Sequence, residues 1–198
     1  LPIYRLFVSD SGNNRVLVYD VASITNGEDA VNVLGQSSFT ASAAAVTQAG
    51  MSTPAGLAYD QGNKRLFVAD SAANRVLVYD ATSITDGKAA AHVLGQSSFT
   101  ASSAVTTQAG MSTPIGLAYD QVGNRLFVVD SINSRVLVYD VASITDGKNA
   151  THVLGQVDFT NMDPSGPTQN LFAGPAGVTY DQANSRLFVA DEIGRAHV

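Results

Sequence analysis

One fifteen-residue stretch, repeated at a fixed interval, constrains this chain more than anything else in it. LFVSDSGNNRVLVYD begins at Leu6, LFVADSAANRVLVYD at Leu66 and LFVVDSINSRVLVYD at Leu126, and a shorter LFVAD begins at Leu187, giving spacings of 60, 60 and 61 residues. In this register residues 6–60 and 66–120 are about three-quarters identical. A period of this length marks an array of one supersecondary unit, each copy burying a face against its neighbour. Each copy joins two short runs of Val, Leu, Phe and Tyr through a polar turn, Asp-Ser-x-x-Asn/Ser-Arg, which reads as a β-hairpin.

Residues 56–95 serve for all the units. Gly56–Asp60 is a short strand A, entered through Pro54, whose fixed φ and missing donor suit a strand entrance. Gln61–Lys64 turns into strand B, Arg65–Ala69, and the Asp70 turn leads to strand C, Arg75–Tyr79. Residues 80–90 form a turn-rich connection with room for one helical turn, and His92–Gly95 is strand D. In strand C, Leu77 and Tyr79 face one way and Val76 and Val78 the other; in strand B, Leu66 and Val68 oppose Phe67 and Ala69. Both faces are apolar, so each sheet is expected between two others. Strand A, with Gly56 and Ala58, suits a crowded central axis. The expected fold class is all-β, a β-propeller of four-stranded antiparallel blades.

Gly-Leu-Ala-Tyr-Asp, Leu-Phe-Val-Ala-Asp and Asp70-Ser-x-x-Asn74-Arg75-Val76 with its Val-Tyr-Asp strand end together resemble the NHL repeat, in nearly the whole chain and in three registers. The resemblance implies one propeller blade per repeat and about six blades in a closed domain. A unit of 60 residues is longer than the family norm; the excess lies in residues 80–90 and 96–114. By propeller convention the B–C turns and D–A connections share a face. The Ser/Thr/Ala/Gln-rich segment from Ser97 would then decorate the same face as the Asp-Ser turns.

The repeat count gives a partial propeller over residues 1–191: a blade without strand A at 6–35, blades at 56–95 and 116–155, and the start of another at 177–191. That is an incomplete propeller of just over three blades, out of about six. Residues 192–198, Glu-Ile-Gly-Arg-Ala-His-Val, abandon the repeat and read as a non-native tail. An arc of this kind would expose on the order of ten apolar side chains at each end, each worth roughly 1.5 to 3 kcal/mol if buried. Self-association through those blade faces is the expected consequence.

Composition removes several function classes. There is no cysteine, hence no thiolate nucleophile and no Cys-based zinc site, and the formal net charge is -6. Binding nucleic-acid phosphates needs a basic face, whereas here most Arg residues hold fixed repeat positions. No nucleic-acid partner is expected, and no apolar run approaches the roughly 20 residues of a membrane-spanning helix.

An active site breaks symmetry, because different groups must converge on one substrate. Asp10, Asp70 and Asp130 recur with Arg15, Arg75 and Arg135 and read as turn formers with a cross-hairpin charge contact. His92 and His152 share one position, held by Asn32 in the first unit, and read as a tolerant strand site. The most deviant segment runs from Gln156 to Pro175. Asp158, Asn161 and Asp163 in it offer oxygen ligands, but at a spacing that fits no EF-hand loop, so neither a metal nor any other cofactor is expected. No nucleophile elbow or phosphate loop is present. The expectation is a non-enzymatic binding or scaffold module, bacterial, at the cell surface or secreted, that recognises a protein or glycan through the loop face. Its candidate binding residues are Ser97, Phe99, Thr100, Gln108, Asp158, Asn161 and Asp163. Replacing residues 97–113 by a short turn is expected to abolish binding and leave the blades folded. The alternative is a lyase or lactonase of the same family, its polar centre in other blades.

Overall fold

The computed structural model describes residues 4–162 and 168–192. Among them thirteen strands form four antiparallel sheets in chain order. The first sheet holds β1 (Arg5–Asp10), β2 (Arg15–Asp20) and β3 (Asn32–Leu34). The second is β4 (Pro54–Asp60), β5 (Arg65–Asp70), β6 (Arg75–Asp80) and β7 (His92–Leu94). The third repeats it as β8 (Pro114–Asp120), β9 (Arg125–Asp130), β10 (Arg135–Asp140) and β11 (His152–Leu154), and the last pairs β12 (Pro175–Asp181) with β13 (Arg186–Asp191). Consecutive strands are neighbours throughout, the meander expected of propeller blades. Strand A begins at Pro54, two residues before the expected Gly56, with a register irregularity between Pro54 and Leu57.

The apolar alternation is satisfied on both faces. Val76, Leu77 and Tyr79 are fully buried in β6, with Leu66, Phe67 and Val68 beside them in β5. One core cluster joins Val16, Val18 and Leu34 of the first blade to Leu66, Val68, Leu77 and Tyr79 of the second. A second joins Phe67, Val76 and Val78 to Leu126, Val128, Leu137 and Tyr139 of the third. Each sheet is thus packed on the next, and each blade-to-blade core is built from residues of both partners.

Strand A lies innermost. A Cβ on Gly56 would meet the Leu117 nitrogen at 2.9 Å, as well as the Ile115 carbonyl, so glycine is what lets adjacent A strands approach at the axis. On the rim carrying the A–B turns, Gln121 Nε2 donates to the Tyr59 carbonyl at 3.1 Å and Gln182 Nε2 to the Tyr119 carbonyl at 2.6 Å.

The connection over residues 80–90 differs from expectation. It holds turns and bends, not a helical turn; the short 3-10 turns of the first two blades fall instead between B and C, at Ser11–Asn13 and Ser71–Ala73. The reason is tertiary: the connection is stretched along the edge of the preceding blade. Val33 N donates to Asp86 Oδ1 at 3.0 Å and Gly87 N to the Val33 carbonyl at 3.0 Å. Asp146 and Gly147 do the same to Val93, at 3.1 and 3.0 Å. An exposed strand edge is a template for unwanted pairing, and here the extra length of each unit covers it. Among the described residues no helix is long and apolar enough to cross a membrane. Glu192 N donates to the Gly174 carbonyl as Ser71 N does to that of Thr53; residues 193–198 lie outside the described residues.

Candidate functional site

The B–C turns and the long D–A loops do share one face, and a buried ion pair fastens them together. The turn needs a left-handed residue before Arg75, and Asn74 (φ 51°) supplies it; Asn14 and Ser134 do so elsewhere. The Asn74 backbone N–H closes the turn on the Ser71 carbonyl at 3.1 Å. That leaves the Asp70 and Ser71 side chains free for longer reach than the sequence implies. Neither caps its own turn: Asp70 accepts the Ser52 backbone N–H from the preceding loop at 2.6 Å, and Ser71 Oγ donates to the Pro114 carbonyl of the next blade at 2.5 Å.

Arg75 is the centre of this arrangement. Its Nε donates to Asp70 at 2.8 Å, and both side chains are 0% exposed. Nη1 donates to the Phe99 carbonyl in the loop of its own blade, and Nη2 to the carbonyls of Thr47 and Gly50 in the loop before, at 3.1 and 3.0 Å. One guanidinium therefore staples two successive loops, its planar fork meeting fixed carbonyls. Arg135 repeats this with Asp130, Phe159, Thr107 and Gly110. Burial pushes the Asp70 and Asp130 carboxyls up, against the downward pull of the paired guanidinium. Sequence patterning shows the Asp–Arg pairing but not the loop carbonyls, because backbone acceptors leave no trace in residue identity.

Gln96, buried beneath the loop, adds a second tie: its Nε2 reaches the carbonyls of Asn74 and Ser103, both at 2.8 Å. Met111 is fully buried, and the loop closes with a bond from Val105 N to the Met111 carbonyl. Replacing residues 97–113 would therefore take out part of the core and three staple carbonyls, those of Phe99, Thr107 and Gly110. The expectation that the blades would survive that replacement is corrected: only the crest of the loop is dispensable.

The nominated residues divide accordingly. Ser97 and Thr100 are exposed on the crest, and Ser97 lines a cleft of about 260 Å³ with Gly95, Ser103, Thr107 and Gly147. Phe99 is half-buried, packed on the core, with its carbonyl held by Arg75. Gln108 donates through Nε2 to the Ala150 carbonyl of the next blade at 2.8 Å and accepts the Ala150 N–H at 2.9 Å, an inter-blade tie. Asp158 accepts bonds from Thr160 N at 2.8 Å and Asn161 N at 2.9 Å, closing a turn, and the Thr160 amide holds its carboxyl below the usual range. Asp163 lies outside the described residues. Among the described residues no three His, Cys, Asp or Glu side chains gather as a metal site. His92 contacts Asp146 at 3.2 Å on the outer edge and His152 contacts Thr151; the two sit on equivalent strands of adjacent blades, with different partners.

No protein-family model matches the chain. Among curated proteins it is 31% identical over 153 residues to NHL repeat-containing protein 2 of Bos taurus, and 29% identical to that of Gallus gallus. Each match takes in 73% of this chain and 20% of the relative, so the chain spans about a fifth of the relatives' length. Solved structures of similar fold include one from a nidogen/laminin complex, with TM-score 0.52 and 16% identity over 94% of this chain and 52% of that one. U3-55K gives TM-score 0.56 at 12% identity over 94% of this chain and 48% of that one, and the dihydro-heme d1 dehydrogenase NirN 0.54 at 13% over 97% and 31%. Repeat motif, blade topology and the curated relatives agree: the chain belongs to the NHL-repeat β-propellers.

Proposed function

We propose that this chain is a binding or scaffold module whose working surface is the crest of the D–A loops, and that it acts at the cell surface or after secretion. The observation that carries the reading is the stapling of successive loops by Arg75 and Arg135 from below. Evolution of a free linker needs no such anchoring, whereas a recognition surface gains affinity when its loops are ordered before the partner arrives. Above the staples the crest is exposed and rich in hydroxyls, with Ser97, Ser98, Thr100 and Ser102 in one loop and equivalents at Ser37, Ser38, Thr40 and Ser42 in the loop before. Two near-identical loops side by side suit a partner that is itself extended or repetitive, a protein surface or a glycan chain. That a propeller of similar fold forms part of a nidogen/laminin complex shows that the architecture accommodates protein partners.

The test is binding of the chain to arrays of immobilised glycans and secreted proteins, beside a variant carrying Thr100→Glu, Ser103→Glu and Val105→Glu. All three positions are on the exposed crest, and Val105 is 40% exposed. Loss of binding with an unchanged melting curve supports the reading. Binding that survives the triple change, or no binding to either array, counts against it.

A further inference from the structure

The cleft beside Ser97 is built from the middle of the chain. Its lining runs from Gly95 to Gly110, with Gly147 of the next blade's connection, so it lies within the two complete blades and the loop that joins them. Gly147 lets that connection close one side: a Cβ there would meet the Ser97 Cα at 3.3 Å, and Gly87 repeats the approach over Ser37 at 3.4 Å. Gln96 forms part of the wall. It is only 6% exposed, and its Nε2 is engaged by the Asn74 and Ser103 carbonyls. Among the described residues nothing donates to its Oε1, and the side-chain oxygens sealed inside without a partner are those of Tyr59, Tyr79 and Tyr139. The Gln96 oxygen is therefore an acceptor held in one place and open to the cleft. A nearly buried amide oxygen of this kind gains from any donor that reaches it.

The rest of the wall is hydroxyl-bearing or small. Ser97 and Ser103 bring hydroxyls, and Thr107 Oγ1 accepts the Gly110 N–H at 3.0 Å, which leaves its own hydrogen free to donate. Hydroxyls both donate and accept, the chemistry that another polyol returns in kind. No residue from 97 to 113 is charged, and the ion pair beneath, Arg75 with Asp70, is neutral as a unit. A charged ligand would find no counter-charge here to offset its desolvation. At about 260 Å³ the cleft is too large for one structural water, whose share of liquid volume is about 30 Å³, and has room for a single sugar ring.

We propose that this cleft seats one sugar ring of a neutral glycan, with a sugar hydroxyl donating to Gln96 Oε1 and others exchanging bonds with Ser97, Ser103 and Thr107. The proposal rests on the loop crest being the working surface and names what that surface takes. A peptide fits less well. Peptides are held by adding a strand to a free sheet edge, or by seating side chains in apolar or charged pockets. Here the edge strand beside the cleft is already covered at Val93 by Asp146 and Gly147, and the lining offers no charge and no large apolar side chain but Val105. The preceding loop repeats the held amide: Gln36 Nε2 donates to the Asn14 and Ala43 carbonyls at 2.9 and 2.8 Å, with Ser37 and Thr47 in the matching places. Two such seats on one chain favour a polymer over a free sugar, because the second contact is intramolecular once the first is made.

The experiment is affinity electrophoresis of the 198-residue chain through native gels cast with dextran, galactomannan, xyloglucan or mixed-linkage β-glucan, with polygalacturonate as the charged counterpart. Ser97→Tyr closes the mouth of the cleft and Ser103→Ala removes one hydroxyl. The repeat itself carries Val157 and Ala43 at these two positions, so both variants are expected to fold, and circular dichroism melts check it. Retardation by at least one neutral polymer and not by polygalacturonate is expected. Ser103→Ala should weaken it about five-fold, the loss of one hydrogen bond, and Ser97→Tyr should abolish it. No retardation by any neutral polymer overturns the proposal. So does retardation that Ser97→Tyr leaves unchanged, or stronger retardation by polygalacturonate. The crest reading keeps its own test: capture of a protein that carries no glycan, lost in the Thr100→Glu, Ser103→Glu, Val105→Glu variant, would sustain that reading while this one falls.

Discussion

Arg75→Met is the most informative single change, because the equivalent hairpin of the first blade carries the same pair in a partly exposed setting for comparison. Arg75 and Asp70 have side chains 0% exposed, whereas Arg15 and Asp10 are 16% and 23% exposed. Removing one partner of a buried pair leaves an uncompensated charge and costs about 3 to 5 kcal/mol. The Phe99, Thr47 and Gly50 carbonyls lose their donor as well. Arg15→Met, with water at hand, is expected to cost about 1 kcal/mol or less. The sign of the pH dependence follows from Asp70. Burial already raises its folded-state pKa, and Arg75 is the largest influence pulling it down, so without Arg75 it rises further. A carboxyl with a raised folded-state pKa favours folding below its unfolded value, near 3.8, and loses that contribution as pH climbs through the folded value. The penalty of Arg75→Met is therefore expected to be smaller at pH 5 than at pH 7. Asp70→Asn in the same chain, which keeps an acceptor for the Ser52 N–H, is expected to restore about 1 kcal/mol or more at pH 7. Urea unfolding at both pH values measures this, and hydrogen exchange at Gly50 and Ala101 reports whether the loops loosen. A penalty equal to that of Arg15→Met, or one that grows on acidification, would refute the reasoning.

Gly56→Ala is expected to destabilise by roughly 1 to 3 kcal/mol, since its Cβ would strike neighbouring backbone, while Gly12→Ala, with nothing within 4 Å, should stay within about 0.5 kcal/mol in the same urea series. Asp86→Ala uncovers the edge of β3, and faster exchange of the Val33 amide is the expected result; unchanged protection would show that the Gly87 bond alone holds the cover. For Asp60, burial opposes ionisation but is outweighed by bonds from Asn63 and Arg65, so its folded-state pKa is lowered, as is that of Asp120 through Gly123 and Arg125. Their stabilisation is complete above the unfolded value near 3.8 and is lost as pH falls through the lower folded value. Thermal melts should thus show an acid limb below pH 4 that is shallower in the Asp60→Asn, Asp120→Asn double variant.

The sequence by itself determined the repeat, the strands and their faces. Period-two alternation with apolar residues on both sides, as in Val76 to Tyr79, leaves a sheet no stable home except between two others. Gly56 at the entrance of strand A likewise placed that strand at the axis, because only a missing side chain permits the approach. That the D–A loops and B–C turns share one face follows from propeller convention once the repeat is read as a blade. What the tertiary structure decided is the work done by polar side chains. Asp70 and Ser71 read as local turn formers, but the turn closes through its own backbone, and both reach other segments. Gln108 read as a surface contact and ties two blades, and residues 80–90 read as partly helical yet run extended along a neighbour's edge. In each case the partner is a backbone N–H or carbonyl far away in the chain. Such groups are identical in every residue, so sequence can show which side chains are able to bond but only the packed blades show what they meet.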